Sequence, residues 1–216
     1  MKTERFEVGA LQANCFFVTD EEAGVSLLVD TGAPSKAMEQ AVEAFGGEKL
    51  RYILLTHGHF DHIGYAAAMK QKYPRAKIVI GEKDAAFTQR DDLNLSLFFE
   101  GTLPHFTPDI LVRDGDTLPF GKGEIGVMNT PGHTAGGVCY LIGDSLFTGD
   151  TLISGTTGRT DFPTGSLREM MKSIRRIAEL PGDLKVYCGH GENSTLAAER
   201  KYNYAMRKEH DDDLSE

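Results

Sequence analysis

The run "THGHFDHIG" (56–64) constrains this chain more than any other stretch. It follows directly on the apolar segment "RYILL" and sets three of the seven histidines and an aspartate within six positions. Neutral imidazole and carboxylate together suit zinc, iron, manganese and related cations. Successive side chains of an extended segment alternate faces, so His57 and His59 point the same way. Asp61 and His62 share that direction only if the chain turns, as it would on entering the helix after Gly64. Two donor pairs facing differently suggest two cations side by side. A fully helical cluster, pairing His57 with Asp61 and His59 with His62, fits the spacing as well. It would still differ from H-E-x-x-H, where one helical face carries both ligands.

Four side chains cannot fill two cation sites, so the fold must carry further donors to the end of this strand. They are expected at strand ends, beside glycines that allow close backbone approach. Three places qualify: His133 in "TPGHTAGG" after "EIGVMN", Asp150 in "FTGDT" after "SLF", and His190 in "CGHG" after "KVY". That makes five histidines and two aspartates. His105 and His210 have no such setting and read as surface residues.

The rest of the chain reads as strands punctuated by helices. "RFEV", "CFFVT", "VSLLVD", "RYILLT", "KIVI", "DILV", "EIGVMN", "VCYLIG", "SLFTG" and "KVYCG" are expected strands. "SKAMEQAVEAFGG" is an expected helix, with Ser35 as N-cap, an apolar stripe of Ala37, Ala41, Val42 and Phe45, and Gly46 as its stop. "AAAMKQKY", residues 82–100 with a break, "SLREMMKSIRRIAEL" and "TLAAERKYNYAMRKE" complete the expected helices. The tail "HDDDLSE" is expected to fray. "SLLVDTGA" (26–33) faintly echoes "SLFTGDTL" (145–152), hinting at two similar β-rich halves. With no linker between them, residues 1–216 suit a single domain.

Composition excludes some partners. A net charge of -9 and the lack of any Lys/Arg-rich run argue against nucleic acid and anionic membranes. No apolar run is long enough for a membrane span, and "MKTERFEVGA" lacks the apolar stretch of a secretory signal. Cys15, Cys139 and Cys188 are odd in number and scattered, which fits reduced thiols in the cytosol.

The series "HGHFDH", "PGHT", "TGDT" and "GHG" resembles the metallo-β-lactamase superfamily over nearly the whole chain. "GRTDFPTGS" (158–166) and the short length resemble its single-domain, glyoxalase II-like hydrolases. The resemblance implies an α/β (α+β) fold, a four-layer αββα sandwich of two mixed sheets flanked by helices. It implies a first cation held by His57, His59 and His133, and a second by Asp61, His62 and His190, with Asp150 bridging. Two divalent ions are expected, zinc first, with iron or manganese as alternatives. The implied activity is cleavage of a small-molecule thioester by metal-bound hydroxide, with an S-acylglutathione as the leading substrate. A zinc-type ion lowers the pKa of bound water from about 15.7 to about 7, and a thiol of pKa about 8.5 leaves without a strong acid. Asp61 and Asp150 serve as ligands, and either could also orient the nucleophile. Only 26 residues follow His190, so no counterpart of the helical C-terminal region of full-length glyoxalase II enzymes is expected in this sequence.

Two other readings compete. The persulfide dioxygenases share the fold and a similar "GRTDF" stretch but use a single iron; His190 in "GHG" favours two metals. A non-catalytic metal protein is the second, although structural zinc sites are closed and rich in cysteine. Asp30 in "VDTGA" reads either as a partner steadying the donor loops or as a turn residue. Arg159 and Asp161 either brace the site, bind substrate, or fix their own loop. Phe98, Phe99 and Phe106 in "SLFFEGTLPHFTPD" either wall a cleft or fill the core. Cys188 reads as a buried strand cysteine, and Lys201 and Arg207 as a solvated helix face.

Overall fold

The computed structural model describes residues 1–99 and 101–207. Six strands form the first sheet in chain order: β1 (Lys2–Val8), β2 (Ala13–Asp20), β3 (Val25–Val29), β4 (Leu50–Leu54), β5 (Lys77–Gly81) and β6 (Ile110–Val112). β1, β2 and β3 pair antiparallel, while β3 to β6 run parallel. Between them lie α1 (Lys36–Phe45), α2 (Phe60–Ile63), α3 (Ala66–Lys72) and α4 (Ser96–Phe99). The second sheet contains β7 (Thr117–Phe120), β8 (Gly123–Asn129), β9 (Val138–Ile142) and β10 (Ser145–Gly149). A short hairpin of β11 (Leu152–Ile153) and β12 (Thr156–Thr157) follows, then α5 (Leu167–Ala178), β13 (Lys185–Cys188), β14 (Ser194–Thr195) and α6 (Leu196–Tyr202). The second sheet is ordered β14-β13-β10-β9-β8-β7.

Alternation along the strands accounts for the layering, because each sheet is buried on both faces. Phe16, Leu27 and Leu54 meet Val127, Tyr140 and Phe147 between the sheets. Their neighbours Phe17, Leu28 and Ile53 face outward onto Met38 and Val42 of α1 and Met69 of α3. On the far side, Cys139, Leu146 and Val186 pack on Met170, Ile174 and Ile177 of α5. The result is the αββα sandwich. Among the described residues, no helix is long and apolar enough to cross a membrane.

The expected strands are present, and β7 was not anticipated. Its Pro119 is tolerated because β7 is the edge of its sheet. Ser35 caps α1 as expected, its hydroxyl accepting from the Met38 amide. The buried stripe uses Met38 rather than Ala37, which is exposed. The interrupted helix over 82–100 appears as 3₁₀ turns at Glu82–Gln89 and then α4. The closing helix is shorter than expected. It stops at Tyr202 because Asn203 turns extended, its side-chain amide donating to the Thr156 carbonyl at 2.9 Å and to Glu199 at 2.8 Å. The acidic tail 209–216, including His210, lies outside the described residues.

Candidate metal centre

β3, β4, β10 and β13 all end at one edge of the sandwich, where the donor loops meet. His59 is extended and α2 begins at Phe60, so the turn comes earlier than the glycine at 64 suggested. Asp61 and His62 therefore sit on a single helical turn while His57 and His59 precede it. The fully helical arrangement is ruled out.

The structure brings all seven expected donors together. Three overlapping trios form: His57, His59 and His133; His57, His62 and Asp150; Asp61, His62 and His190. Within each, one donor atom per residue lies within 4.8 Å of the others. The first and third are the trios the resemblance implied. Asp150 lies between them, its Oδ2 3.5 Å from His133 Nε2 and 3.6 Å from His190 Nε2. His59 Nδ1 faces His133 Nε2 at 2.8 Å.

The outer hydrogen bonds set the tautomers. His133 Nδ1 sits 2.7 Å from the Arg159 carbonyl and His190 Nδ1 3.2 Å from that of Leu11, so each carries a proton and donates. His62 Nδ1 donates to Asp30 Oδ2 at 2.9 Å. The Thr56 hydroxyl gives its proton to Asp30 at 2.8 Å and accepts from His57 Nδ1 at 3.1 Å. With Nδ1 committed outward, each of these four rings turns its Nε2 inward, where a cation can take the place of any proton it carries. His57 Nε2 and Asp150 Oδ1 are buried with no hydrogen-bond partner. Converging lone pairs beside buried carboxylates fit a cation, so the residues present suit divalent metal ions.

Glycines let these loops meet. A Cβ on Gly189 would fall 2.2 Å from Asp150 Oδ1 and 2.8 Å from His62 Cε1. Gly189→Ala is therefore expected to drive these two side chains apart. Metal content should fall by at least one ion per chain, read against the melting temperature of the same sample.

Charge in the centre is uneven. Burial, then the neighbouring imidazoles, holds His57 and His59 well below the ordinary histidine range. Burial opposes charge on His62 too, but Asp61, Asp150 and Asp30 outweigh it and push it up to about 10. Asp61 is held well below the usual carboxylate range: burial resists ionisation, and His62 and His190 overcome it. Without metal, His62 contributes stability that is full below about 6.5 and lost as pH rises toward about 10. His57 and His59 act oppositely, their contribution lost as pH falls below 6.5. The metal-free protein should melt highest near pH 6.5, declining on both sides. Bound cation replaces the His62 proton and should remove the alkaline decline in a calorimetric pH series.

Asp30 is a loop-steadying partner rather than a plain turn residue: it accepts from the Thr56 amide, the Thr56 hydroxyl and His62. The faint echo also has a meaning. β3 and β10 each stand third in their sheet and end at Asp30 and Asp150, both beside His62. Asp84 was missed, since a lone aspartate in 3₁₀ turns gives no sequence signal. It is fully buried and accepts from Gly58 N (2.9 Å), Thr134 Oγ1 (2.7 Å) and Gly136 N (2.7 Å), tying the 57–59 loop to the 133–136 loop. Burial pushes its carboxyl up to about 6 against those donors.

A cleft of about 430 Å³ opens over the cluster. Phe99 is one of its walls, whereas Phe106 packs on the core and Phe98 stays exposed. Arg159 pairs with Asp161 through two bonds of 2.7 and 2.6 Å and lies 4.0 Å over the Phe162 ring. Lys201 and Arg207 are exposed and outside the cleft lining. His105 is exposed, 3.2 Å from Asp91, and Cys188 is buried with its thiol pushed up by burial.

The family model described as the metallo-β-lactamase superfamily matches residues 8–190. A relative from Haemophilus influenzae, hydroxyacylglutathione hydrolase GloC, is 31% identical over 207 residues, covering 94% of this chain and 97% of that protein. The crystal structure of BLEG-1 B3 metallo-β-lactamase superposes with a TM-score of 0.87 at 27% identity, over 95% of this chain and 99% of that one. TTHA1623 in a di-iron-bound form gives a TM-score of 0.80 at 26% identity, over 93% and 98%. With its four-layer sandwich and its histidine–aspartate cluster at the sheet edge, the chain belongs to the metallo-β-lactamase superfamily of metal-dependent hydrolases.

Proposed function

We propose that this protein is a dinuclear metal-dependent hydrolase that cleaves thioesters, with an S-acylglutathione as the first substrate to test. The observation that carries it is the convergence of seven donors into overlapping trios around Asp150. In this reading His57, His59 and His133 hold one divalent ion, Asp61, His62 and His190 the other, and Asp150 spans both. Zinc is the first candidate, with iron or manganese accepted by the same donors. Bound ions supply Lewis acidity and a nucleophilic water at neutral pH.

The chain's own residues do the rest. Thr56, Asp30 and the carbonyls of Arg159 and Leu11 hold four imidazoles in one tautomer and orientation. Asp61, kept ionised, and Asp150 are placed to accept a hydrogen bond from the attacking water and aim it at the carbonyl carbon. That carbon gains the water oxygen while the water's proton passes by way of Asp61 or Asp150 to solvent, the C–S bond breaks, and sulfur leaves as thiolate. Among the described residues lining the cleft, every titratable group except Arg159 belongs to the cluster. No acid is left over to protonate an amine or alkoxide, and a thiolate needs none. The relative named as a hydroxyacylglutathione hydrolase supports the same chemistry. A single-domain cytosolic enzyme acting on a small molecule fits the composition.

The test is thiol release from S-lactoylglutathione and simple S-acyl thiols, on chelator-treated protein reloaded with zinc, iron or manganese. Turnover that vanishes with the chelator and returns with metal is expected. Oxygen uptake with a persulfide, carried by one iron and without thioester cleavage, would replace this reading with persulfide oxidation.

A further inference from the structure

We propose that the cleft takes an apolar, uncharged arm of the thioester, selected by Phe60, Leu95 and Phe99 on one side and Ile153 and Phe162 on the other. This rests on the hydrolase reading above and names the substrate class of that same site. At about 430 Å³ the cleft has room for roughly a dozen water volumes, far more than a small hydroxyacyl group would fill. Apart from the donor cluster and the segment Thr157 to Arg159, its described lining is apolar, with Leu11 completing the rim.

The charge pattern points the same way. Arg159 is the one described lining residue with a fixed positive charge, and the Nε–Nη2 edge of its guanidinium is already paired with Asp161 while the group stacks on Phe162. Away from the donor cluster, a carboxylate on the substrate arm would find among the described lining residues no cation but Arg159, which Asp161 already neutralises. Desolvating such a group without a partner is strongly unfavourable.

Backbone conformation adds an independent observation. Leu95 has φ of 68°, a left-handed conformation that bulky residues rarely adopt, yet its side chain lines the cleft. Asn94 holds it there: its side chain donates to the Phe87 carbonyl and accepts from Ser96 N, and its carbonyl accepts from Phe60 N. The fold thus keeps an aliphatic side chain in the wall at a position suited to glycine or asparagine. Phe99 is 57% exposed, with its ring stacked on Phe60 at 5.2 Å, presenting an apolar face to an incoming chain.

The experiment measures binding of the two product types to zinc-loaded protein: straight-chain carboxylates from acetate to octanoate, and straight-chain thiols from ethanethiol to octanethiol. In one series at least, affinity should rise by about two- to fourfold per methylene, the range expected as methylenes become buried. Phe99→Ala and Leu95→Asn, the latter compatible with the left-handed backbone, should flatten that slope. Phe98→Ala, on an exposed neighbour outside the lining, should keep it. A flat profile in both series, an unchanged slope in Phe99→Ala, or tighter binding of the dianion succinate than of octanoate would overturn the proposal. Binding and turnover separate the two claims. A steep slope without thioester cleavage supports the apolar cleft and removes the reaction, while cleavage with a flat slope removes the cleft assignment alone.

Discussion

Asp150→Asn is expected to lower thioester turnover by about a thousandfold or more, the scale seen when a charge aimed at the reacting centre is removed. Its carboxylate reaches both trios, with Oδ2 3.5 Å from His133 Nε2 and 3.6 Å from His190 Nε2, and its Oδ1 is buried without a hydrogen-bond partner among the described residues. The substitution therefore removes little that holds the fold. Metal content should drop from two ions per chain toward one, with the far-ultraviolet circular dichroism unchanged. Steady-state kinetics and elemental analysis on one preparation check both parts. A variant that keeps two ions and most of its turnover would show that Asp150 does not span the pair.

Asp30→Asn should have the next largest effect, although Asp30 touches neither trio's open space. Its Oδ2 accepts from both His62 Nδ1 and the Thr56 hydroxyl. An amide nitrogen at that atom would face two donors. His62 can relieve the clash by moving its proton to Nε2, which then points a hydrogen at the centre instead of a lone pair. Outer partners of ligating histidines are worth about 10- to 100-fold in metal affinity, and a wrong tautomer costs turnover as well. Metal affinity measured by competition with a chelator should fall by that range. The alternative rotamer, with the amide oxygen toward His62, strips the Thr56 amide of its acceptor at Oδ1, so a loss of melting temperature is expected in parallel. Unchanged affinity would reduce Asp30 to a turn residue.

The donor set was legible in the sequence because each donor stands at the end of an apolar strand, next to a glycine or within the 57–62 run. That pattern reflects one constraint: distant strands must deliver side chains to a common edge with little backbone in the way. Gly189 shows the constraint directly, since any side chain there would enter the space of Asp150 and His62. The layers were legible for a similar reason, as Phe16 and Phe17 or Leu27 and Leu28 serve opposite faces of the same sheet.

What escaped depends on contacts between segments far apart in the chain. Asp84 joins two donor loops through backbone amides, which leave no residue-type signature. The cleft walls come from the 95–99 and 153–162 loops, whose facing is decided by Asn94 and by the bonds of Asn203 to the hairpin. Asn203 also explains the shortened closing helix, for its side chain serves the hairpin rather than the helix. The aromatic stretch 96–109 divides three ways: Phe98 and Phe99 are successive residues of α4 and take different faces, so Phe99 lines the cleft and Phe98 stays exposed, while Phe106 packs on the core.

The most direct test of the account is metal content per chain, by plasma mass spectrometry on protein purified without chelator or histidine tag. Close to two ions, as zinc or a mixture of zinc and iron, is the predicted result. A single iron, or no metal retained at all, would contradict the dinuclear centre.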